Sequence, residues 1–417
     1  MTEAATEPAR PVMVLVGGAG EIALGKDVAV QALAQARARG MATCQTNQAA
    51  TLAATPEVRE QCDESWAVDF EDPAASAAWA AGRVAEGGRV DLVLGVREAA
   101  QIATAEIAAA AGAPGNPPAA VRTVRNKDLG RAALAAAGFP QPRVRLCESL
   151  DAAREFVAET TGPWVVKPRD AQGSEGVRKV ESPAGLEEAV AAQEPGKPYI
   201  VEEFVTGREF SVEGVFLGGR PVVLAVTEKQ LLPGPLFVEA GHVLPARIPE
   251  ELRADCAATT EAALTAHGLR YGVFHVELWS TESGIVLGEV HVRNGGDWIH
   301  RMIQHAVPGL ELFGVVFDDA VGSPVDRERL VATRGAAARF FFPPPGVVQR
   351  IEGWDEVVAH PAVLHARLAV EEGSRVGPVM HSHDRLGEVV VGCDTPDEAE
   401  ALARKLVDSV KFCMAGE

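Results

Sequence analysis

Ile200-Val201-Glu202-Glu203-Phe204-Val205-Thr206-Gly207-Arg208-Glu209-Phe210-Ser211-Val212 reads as strand, connector, strand. Apolar strand formers fill both flanks, and Thr206-Gly207 breaks the run between them. The end of the first strand can offer one backbone carbonyl and one N–H, the pair an adenine edge can use. Glu209 follows in the second strand, where its carboxylate can accept the hydroxyls of a ribose. Taken alone the pattern also fits an ordinary hairpin, so its reading rests on what flanks it.

Upstream, Pro163-Trp164-Val165-Val166-Lys167-Pro168 is a buried strand ending on a lysine, a poor core residue unless it meets an anion. The small-residue loop Ala171-Gln172-Gly173-Ser174-Glu175-Gly176 comes next, and its N–H groups can fold over phosphates. Earlier still is Asn126-Lys127-Asp128, followed by Arg131. Downstream, Phe274-His275-Val276-Glu277-Leu278 and Leu287-Gly288-Glu289-Val290-His291-Val292-Arg293 place carboxylates on two successive apolar strands. Two such carboxylates need a cation, and Mg²⁺ typically takes one or two of them while phosphate and water complete its shell.

In this order, N-K…R, V-V-K-P with its loop, V-E-E-F-x-x-G-R-E-x-S-V, H-V-E-L and G-E-x-H-x-R resemble the ATP-grasp superfamily from about Asn126 to Gly309. The resemblance implies an ATP-grasp fold, α/β and α+β in class. A Rossmann-like pre-grasp domain would span 1–119. The ATP-grasp domain would span 120–333, with a flexible phosphate-covering part over about 128–204, and a C-terminal lid domain would span 334–417. ATP and Mg²⁺ are the implied cofactors. Lys127 and Lys167 would contact phosphates, with Gly173, Ser174 and Gly176 closing over them. Glu202, Phe204 and Val205 would border the adenine, the first and last through main-chain groups, and Glu209 would hold the ribose. Glu277 and Glu289 would bind the metal, and Arg293 would contact the transferred phosphate or acyl phosphate. His291 departs from the family's E-x-N-x-R, because imidazole is a softer ligand than an asparagine oxygen. Three placements stay open for it: a metal ligand favouring Mn²⁺, a group behind the metal shell, or a substrate contact.

The long segment Gln230 to Arg247 contains Glu239-Ala240-Gly241-His242-Val243-Leu244-Pro245. Loops of that length are often functional. Its E-x-G-H-x-x-P resembles the L-amino-acid ligase and carnosine-synthase-like branch, which implies that Glu239 and His242 face an amino-acid pocket. Gly295 and Gly296, which the branch shares, precede a helical pattern and can aim N–H groups at developing negative charge. With Arg293 they form the candidate catalytic set. Asp297 either holds an ammonium group or caps the helix, and His300 is placed on the substrate side. Gly373-Ser374-Arg375-Val376-Gly377-Pro378-Val379 and Asp384-Arg385-Leu386-Gly387-Glu388 resemble the branch's lid. His381-Ser382-His383-Asp384 reads as a polar loop, not a metal site, because no further ligand lies nearby in sequence.

The implied reaction joins the carboxylate of an amino acid to an amine through an acyl phosphate, releasing ADP and phosphate. The acceptor stays open between a free and a carrier-bound amine, and family likeness implies a homodimer. Two rivals keep the nucleotide site: a biotin-carboxylase-like enzyme, for which no biotinyl segment follows, and a non-catalytic nucleotide-binding relative, which the intact glutamates and Arg293 argue against.

Composition narrows the partners. With 39 Lys and Arg against 58 Asp and Glu the formal charge is −19, which repels nucleic acid and anionic membranes and leaves small molecules. The six cysteines form no CxxC pair, as expected of reduced thiols. Neither a signal-peptide core nor an apolar run of membrane-spanning length is present, so a cytoplasmic location is expected. Gly18-Ala19-Gly20-Glu21-Ile22-Ala23 fits G-x-G-x-x-A, but the stretch Gly40 to Asn47 lacks the carboxylate a dinucleotide ribose would want. It therefore reads as a tight strand-to-helix turn.

Overall fold

The computed structural model describes residues 10–170, 173, 175–233 and 237–415. The apolar run Val12–Val16 forms the buried strand β1, and the glycine turn after it leads into helix α1 (Ala23–Ala38). With β2 (Ala42–Asn47), β3 (Glu64–Ala67) and β4 (Leu92–Gly95) it makes a parallel sheet ordered β3-β2-β1-β4. Parallel neighbours need long crossovers, which accounts for the strand-then-helix alternation of this stretch. The chain adds β2 and β3 on one side of β1 and then returns to lay β4 on the other.

The second sheet is antiparallel, ordered β5-β8-β6-β7 from β5 (Val144–Cys147), β6 (Trp164–Pro168), β7 (Arg178–Val180) and β8 (Tyr199–Glu203). Phe156, Val157, Leu186 and Ala189 from two short helices pack on its Trp164, Val166, Tyr199 and Val201.

The remaining strands are β9 (Arg208–Leu217), β10 (Arg220–Leu231), β11 (Glu239–Leu244), β12 (Val273–Thr281), β13 (Gly284–His291), β14 (Gly335–Phe340), β15 (Gly346–Glu352), β16 (Val363–Leu368), β17 (Arg375–Val376), β18 (Gly387–Cys393) and β19 (Lys411–Ala415). Eight of them form one sheet, β13-β12-β9-β10-β11-β14-β18-β16, and β17-β15-β19 form a small separate one. The large sheet therefore runs without a break from the stretch expected as the ATP-grasp domain into the stretch expected as the lid.

The two faces of this sheet differ. Directly opposed residues of antiparallel strands share a face, and successive residues alternate faces. Val212 opposes both Val226 and Val276, and Val276 opposes Val290. These residues, with Phe210, Phe274 and Leu278, pack on Cys256, Ala263 and Leu264 of the helix Glu250–Ala266. On the other face Glu213 opposes His275, His275 opposes His291, and Ser211 opposes both Thr227 and Glu277. By alternation Glu209, Lys229 and Glu289 lie on that same polar face. Farther along it, Val215 and Leu217 join a core with residues of α1 and the helices Ile299–Ala306 and Gly314–Ala320, the last packing on β9, so the Glu209 end is the one that stays open.

The contact between α1 and that helix is partly ionic. His300 Nε2 lies 2.6 Å from Asp27 Oδ2, and Arg301 Nε donates to the same oxygen at 3.0 Å. His300 is wholly buried. The expectation that it faces a substrate is corrected here: in the helix its ring points at α1, not at the open end of the polar face. Burial pushes the Asp27 carboxyl up, but His300 and Arg301 outweigh it and hold the group well below the usual carboxylate range.

A depressed carboxylate stabilises the fold above the ordinary Asp value of about 4 and loses that contribution as pH falls below it. Asp27→Ala is expected to cost about 3 kcal/mol at pH 7 by leaving His300 and Arg301 unpaired. In urea unfolding, the gap between wild type and variant should narrow as the pH is lowered from 6 to 3. A constant gap would contradict the ionic reading of this contact.

Candidate active site

A cavity of about 280 Å³ lies between the second sheet and the open end of the polar face. One end is an apolar slot made by Val165, Val177, Phe204, Leu231, Phe237 and Trp279. The rings of Phe204 and Phe237 are 6.1 Å apart, and Lys179 Nζ sits 4.3 Å from the Phe204 ring. The Phe204 N–H is engaged by Pro163 O at 2.9 Å. Val205 and Glu209 border the same slot, so three residues expected around a nucleoside meet there.

The other end is charged. Lys167 Nζ lies 2.8 Å from Glu202 Oε1 and 3.7 Å from Glu289 Oε1, while Lys127 Nζ lies 3.2 Å from Glu289 Oε2. Arg131 Nε donates to Glu202 at 3.1 Å. Burial raises the Glu202 pKa, yet the Arg131 and Lys167 charges prevail and hold it at about 2. Glu202 thus gains a side-chain job beyond the main-chain one expected of it: it fixes Lys167. Gly173 lines the cavity, and Gly176 turns the chain beside Pro168 with φ +71°. Ser174 lies outside the described residues.

Lys229 was not anticipated. Its ammonium is buried on the polar face, in contact with Glu209, 3.3 Å from Glu277 Oε2 and 3.8 Å from Glu239 Oε1. Burial alone would lower its pKa, but these three carboxylates raise it well above the usual lysine value. Burial and the Glu277 charge leave Glu209 raised even so, while Lys229 and His275 hold Glu277 far down against its own burial. The alternation of β10 carried a signal for it: Thr227, Lys229 and Leu231 share a face that Thr227 already marks as buried.

Glu277 and Glu289 are hard oxygen donors side by side on β12 and β13, each balanced by lysine, and they suit a Mg²⁺ that draws its other ligands from phosphates and water. Among the described residues no group of three or more His, Cys, Asp and Glu side chains is arranged to hold a metal. His291 lines the cavity between two carboxylates. Its Nδ1 lies 3.0 Å from Glu98 Oε2, and its Nε2 lies 3.6 Å from Glu289 Oε2. Glu98, just after β4, also accepts from Arg293 Nε and, at 2.6 Å, from Arg125 Nη1. Burial raises its pKa, but Arg293 and His291 hold it well below the carboxylate range. Sequence alone gave no sign that the first sheet supplies this carboxylate.

Beyond Glu277 the cavity reaches Glu239. Ser382 Oγ donates to Glu239 Oε2 at 2.5 Å. Asp297 Oδ2 lies 2.8 Å from His242 Nε2 and accepts from Arg385 Nη1 at 2.8 Å. Ser382 belongs to the segment expected to be a plain polar loop and Arg385 to the lid-like stretch after it, and both brace the substrate-side residues. Burial raises Asp297, and Arg385 and His242 overcome it, leaving the carboxyl far below its usual range. Gly295 and Gly296 do not line the main cavity. A Cβ on Gly295 would come within 3.0 Å of His275 Nδ1, so its small size serves the close packing of that strand. Helix Ile299–Ala306 begins after Asp297 and Trp298, both at positive φ, not directly after the glycine pair.

Residues 160–301 match the ATP-grasp domain family, and residues 339–415 match L-amino acid ligase C-terminal domain 2. The chain belongs to the ATP-grasp superfamily, in the branch that carries this C-terminal domain. It is 27% identical over 72% of its length to the uncharacterized protein y4rH of Sinorhizobium fredii, and 31% identical over 58% of its length to carnosine synthase 1 of Gallus gallus. It spans 64% of the first and 28% of the second, under two thirds of either. The crystal structure of L-amino acid ligase from Bacillus licheniformis superposes with a TM-score of 0.79 at 22% identity, covering 98% of this chain and 100% of that one, a likeness of fold.

Lys229→Ala would leave Glu209, Glu239 and Glu277 facing one another without their cation. The variant should melt lower than wild type, and millimolar Mg²⁺ should raise its melting temperature by more than it raises that of wild type. An equal Mg²⁺ response in the two proteins would show that Lys229 does not balance the metal-facing carboxylates.

Proposed function

We propose that the chain is an ATP-dependent carboxylate–amine ligase acting on an amino acid through an acyl phosphate. The observation that carries this reading is one cavity with an apolar nucleoside-sized slot at one end and Lys127, Lys167, Lys229, Arg293, Glu277 and Glu289 gathered at the other. The related L-amino acid ligase and carnosine synthase 1 bear names of the same chemistry. The three-part organisation, at 1–119, 120–333 and 334–417, belongs to this proposal.

In it, adenine lies in the slot between Phe204, Phe237 and Trp279, with Val205 at its edge and Glu209 at the ribose. Lys127 and Lys167 hold phosphates, and Lys229 adds positive charge on the floor. Glu277 and Glu289 would hold Mg²⁺, which would supply charge neutralisation on the phosphate oxygens. The donor carboxylate attacks the terminal phosphorus of ATP in line and displaces ADP, and Arg293 stabilises the charge spread over the transferred group. The acceptor amine then attacks the acyl carbon, phosphate leaves, and an amide forms. Glu239, His242 and Asp297 wall the donor end, held in place by Ser382 and Arg385. Glu98 orients both Arg293 and the His291 ring. Glu202, charged and buried, keeps Lys167 aimed into the cavity.

The test is ADP release and product mass over a matrix of amino acids taken in pairs. Turnover should depend on an added amino acid, and Glu289→Gln should lower kcat/KM by a hundredfold or more. Slow ATP hydrolysis indifferent to every carboxylate added would contradict the ligase reading.

A further inference from the structure

Strand order reverses between β1 and β4, and in open parallel sheets ligands bind in the crevice outside the strand ends at such a point. Here the crevice is bordered by the turn after β1 and by Arg97 after β4. Gly17 and Gly18 have φ of +74° and +45°, and a Cβ on Gly18 would fall 2.7 Å from Gln45 Oε1 and 2.9 Å from Asn47 Nδ2. The backbone at this turn is thus bare and closely backed by amides.

Three groups around the turn lack partners. Helix α1, 16 residues long, starts after Ile22 with no side-chain cap and no acidic residue in its first turn, so its leading N–H groups and positive dipole end go unanswered. Gln45 is wholly buried, and its Oε1, aimed at Gly18, has no hydrogen-bond partner. Its Nε2 meets only the Ser65 hydroxyl, at 3.2 Å. A hydroxyl can donate as well as accept, so the amide can turn over and present N–H to the crevice. Arg97 is half-buried over the Phe70 ring at 4.6 Å, and its one hydrogen bond is a long 3.4 Å contact to Gly17 O. No carboxylate lies within ion-pair distance of it among the described residues, and Glu71 acts on it only from farther off, in a chain with 58 acids and 39 bases. A guanidinium left alone where acids are in excess, beside an uncapped helix start, is arranged for an oxyanion from outside.

We infer that this crevice is a second binding site, which takes the carboxylate or phosphate of the amine acceptor. Its position fits: Arg97 adjoins Glu98, whose carboxylate holds Arg293 of the main cavity, so the two sites share a wall. An acceptor anchored here by its anion would direct its amine toward the acyl phosphate beside Arg293. The acidic residue a dinucleotide would want after β2 is missing, whereas a small anion needs none.

This inference rests on the ligase reading, and hydroxylamine separates the two. Hydroxylamine is a neutral amine that traps an acyl phosphate as hydroxamate without an anion to anchor. Wild type and Arg97→Gln should form hydroxamate within about twofold of each other. With anionic acceptors, glycine for a carboxylate and O-phosphoethanolamine for a phosphate, the variant's acceptor KM should rise at least tenfold with the ATP KM unchanged, and the arm with the lower wild-type KM names the source. Arg97→Lys should recover part of the loss. Acceptors without an anion, such as glycinamide, should be poor for wild type and unaffected by the variant. If neither protein forms hydroxamate, the ligase reading fails, and the crevice is still read directly: inorganic phosphate should raise the melting temperature of wild type and not of Arg97→Gln. An unchanged acceptor KM, an equal loss with hydroxylamine, or equal phosphate protection of both proteins would each overturn the assignment.

Discussion

Everything in the cavity depends on one constraint: charge removed from water on the polar face of a sheet must find charge of the opposite sign. Glu209, Glu213, Glu277 and Glu289 project from β9, β12 and β13 into space closed by the second sheet and the helices above. An isolated buried carboxylate is costly enough to take up a proton or unfold its surroundings. Lys229 from the same face and Lys127 and Lys167 from across the gap remove that penalty. His275 serves Glu213 in the same way: its ring lies 3.0 Å from that carboxylate, and although burial lowers its pKa, Glu213 brings it up to about 9. The arrangement holds cations at fixed positions before any ligand arrives, the condition under which dipoles and charges stabilise a transferring phosphoryl group best.

The same constraint explains why the first and last parts of the chain are drawn to the cavity. Arg293 and His291 end β13 facing the first sheet, and Glu98 meets both. At the far end the backbone of Asp297 and Trp298 is left-handed, with φ of 51° and 63°, a conformation costly for residues with a Cβ. It persists because its side chains are held: Asp297 by His242 and Arg385, Trp298 by Glu388 at 3.0 Å and by the His365 ring stacked 3.4 Å away. The strained turn and the C-terminal unit therefore require each other. That coupling fits a large sheet in which β14, β18 and β16 continue from β11 without interruption.

The nucleotide half was legible because it is written in strands. Period-two alternation in H-V-E-L and V-E-E-F-x-x-G-R-E-x-S-V states which carboxylates share a face, and the glycine breaks state where strands end. What escaped has its partner far away in sequence. Glu98 acts on Arg293, Arg385 on Asp297, and Asp27 on His300, and no local pattern encodes such a meeting. His300 shows the error this produces. It lies close to the glycine pair in sequence, but one helical turn rotated it toward α1. Lys229 lies between these cases, since its strand position was readable and its three partners were not.

The glycine turn after β1 is governed by the same demand for matched charge. A G-x-G-x-x-A sequence can be excluded as a dinucleotide site and still not be an ordinary turn, because exclusion of one ligand says nothing about the unpaired groups around it. Several buried arginines of this acidic chain are matched by carboxylates: Arg131 by Glu202, Arg293 by Glu98, Arg385 by Asp297. Arg97, half-buried, has no such ion pair among the described residues, and it lies at the strand reversal, where open parallel sheets bind their ligands. Beside Glu98, which holds Arg293, the fold leaves the Arg97 guanidinium without an ion pair and the Gln45 amide oxygen without a partner, and the anion of a substrate would match that guanidinium.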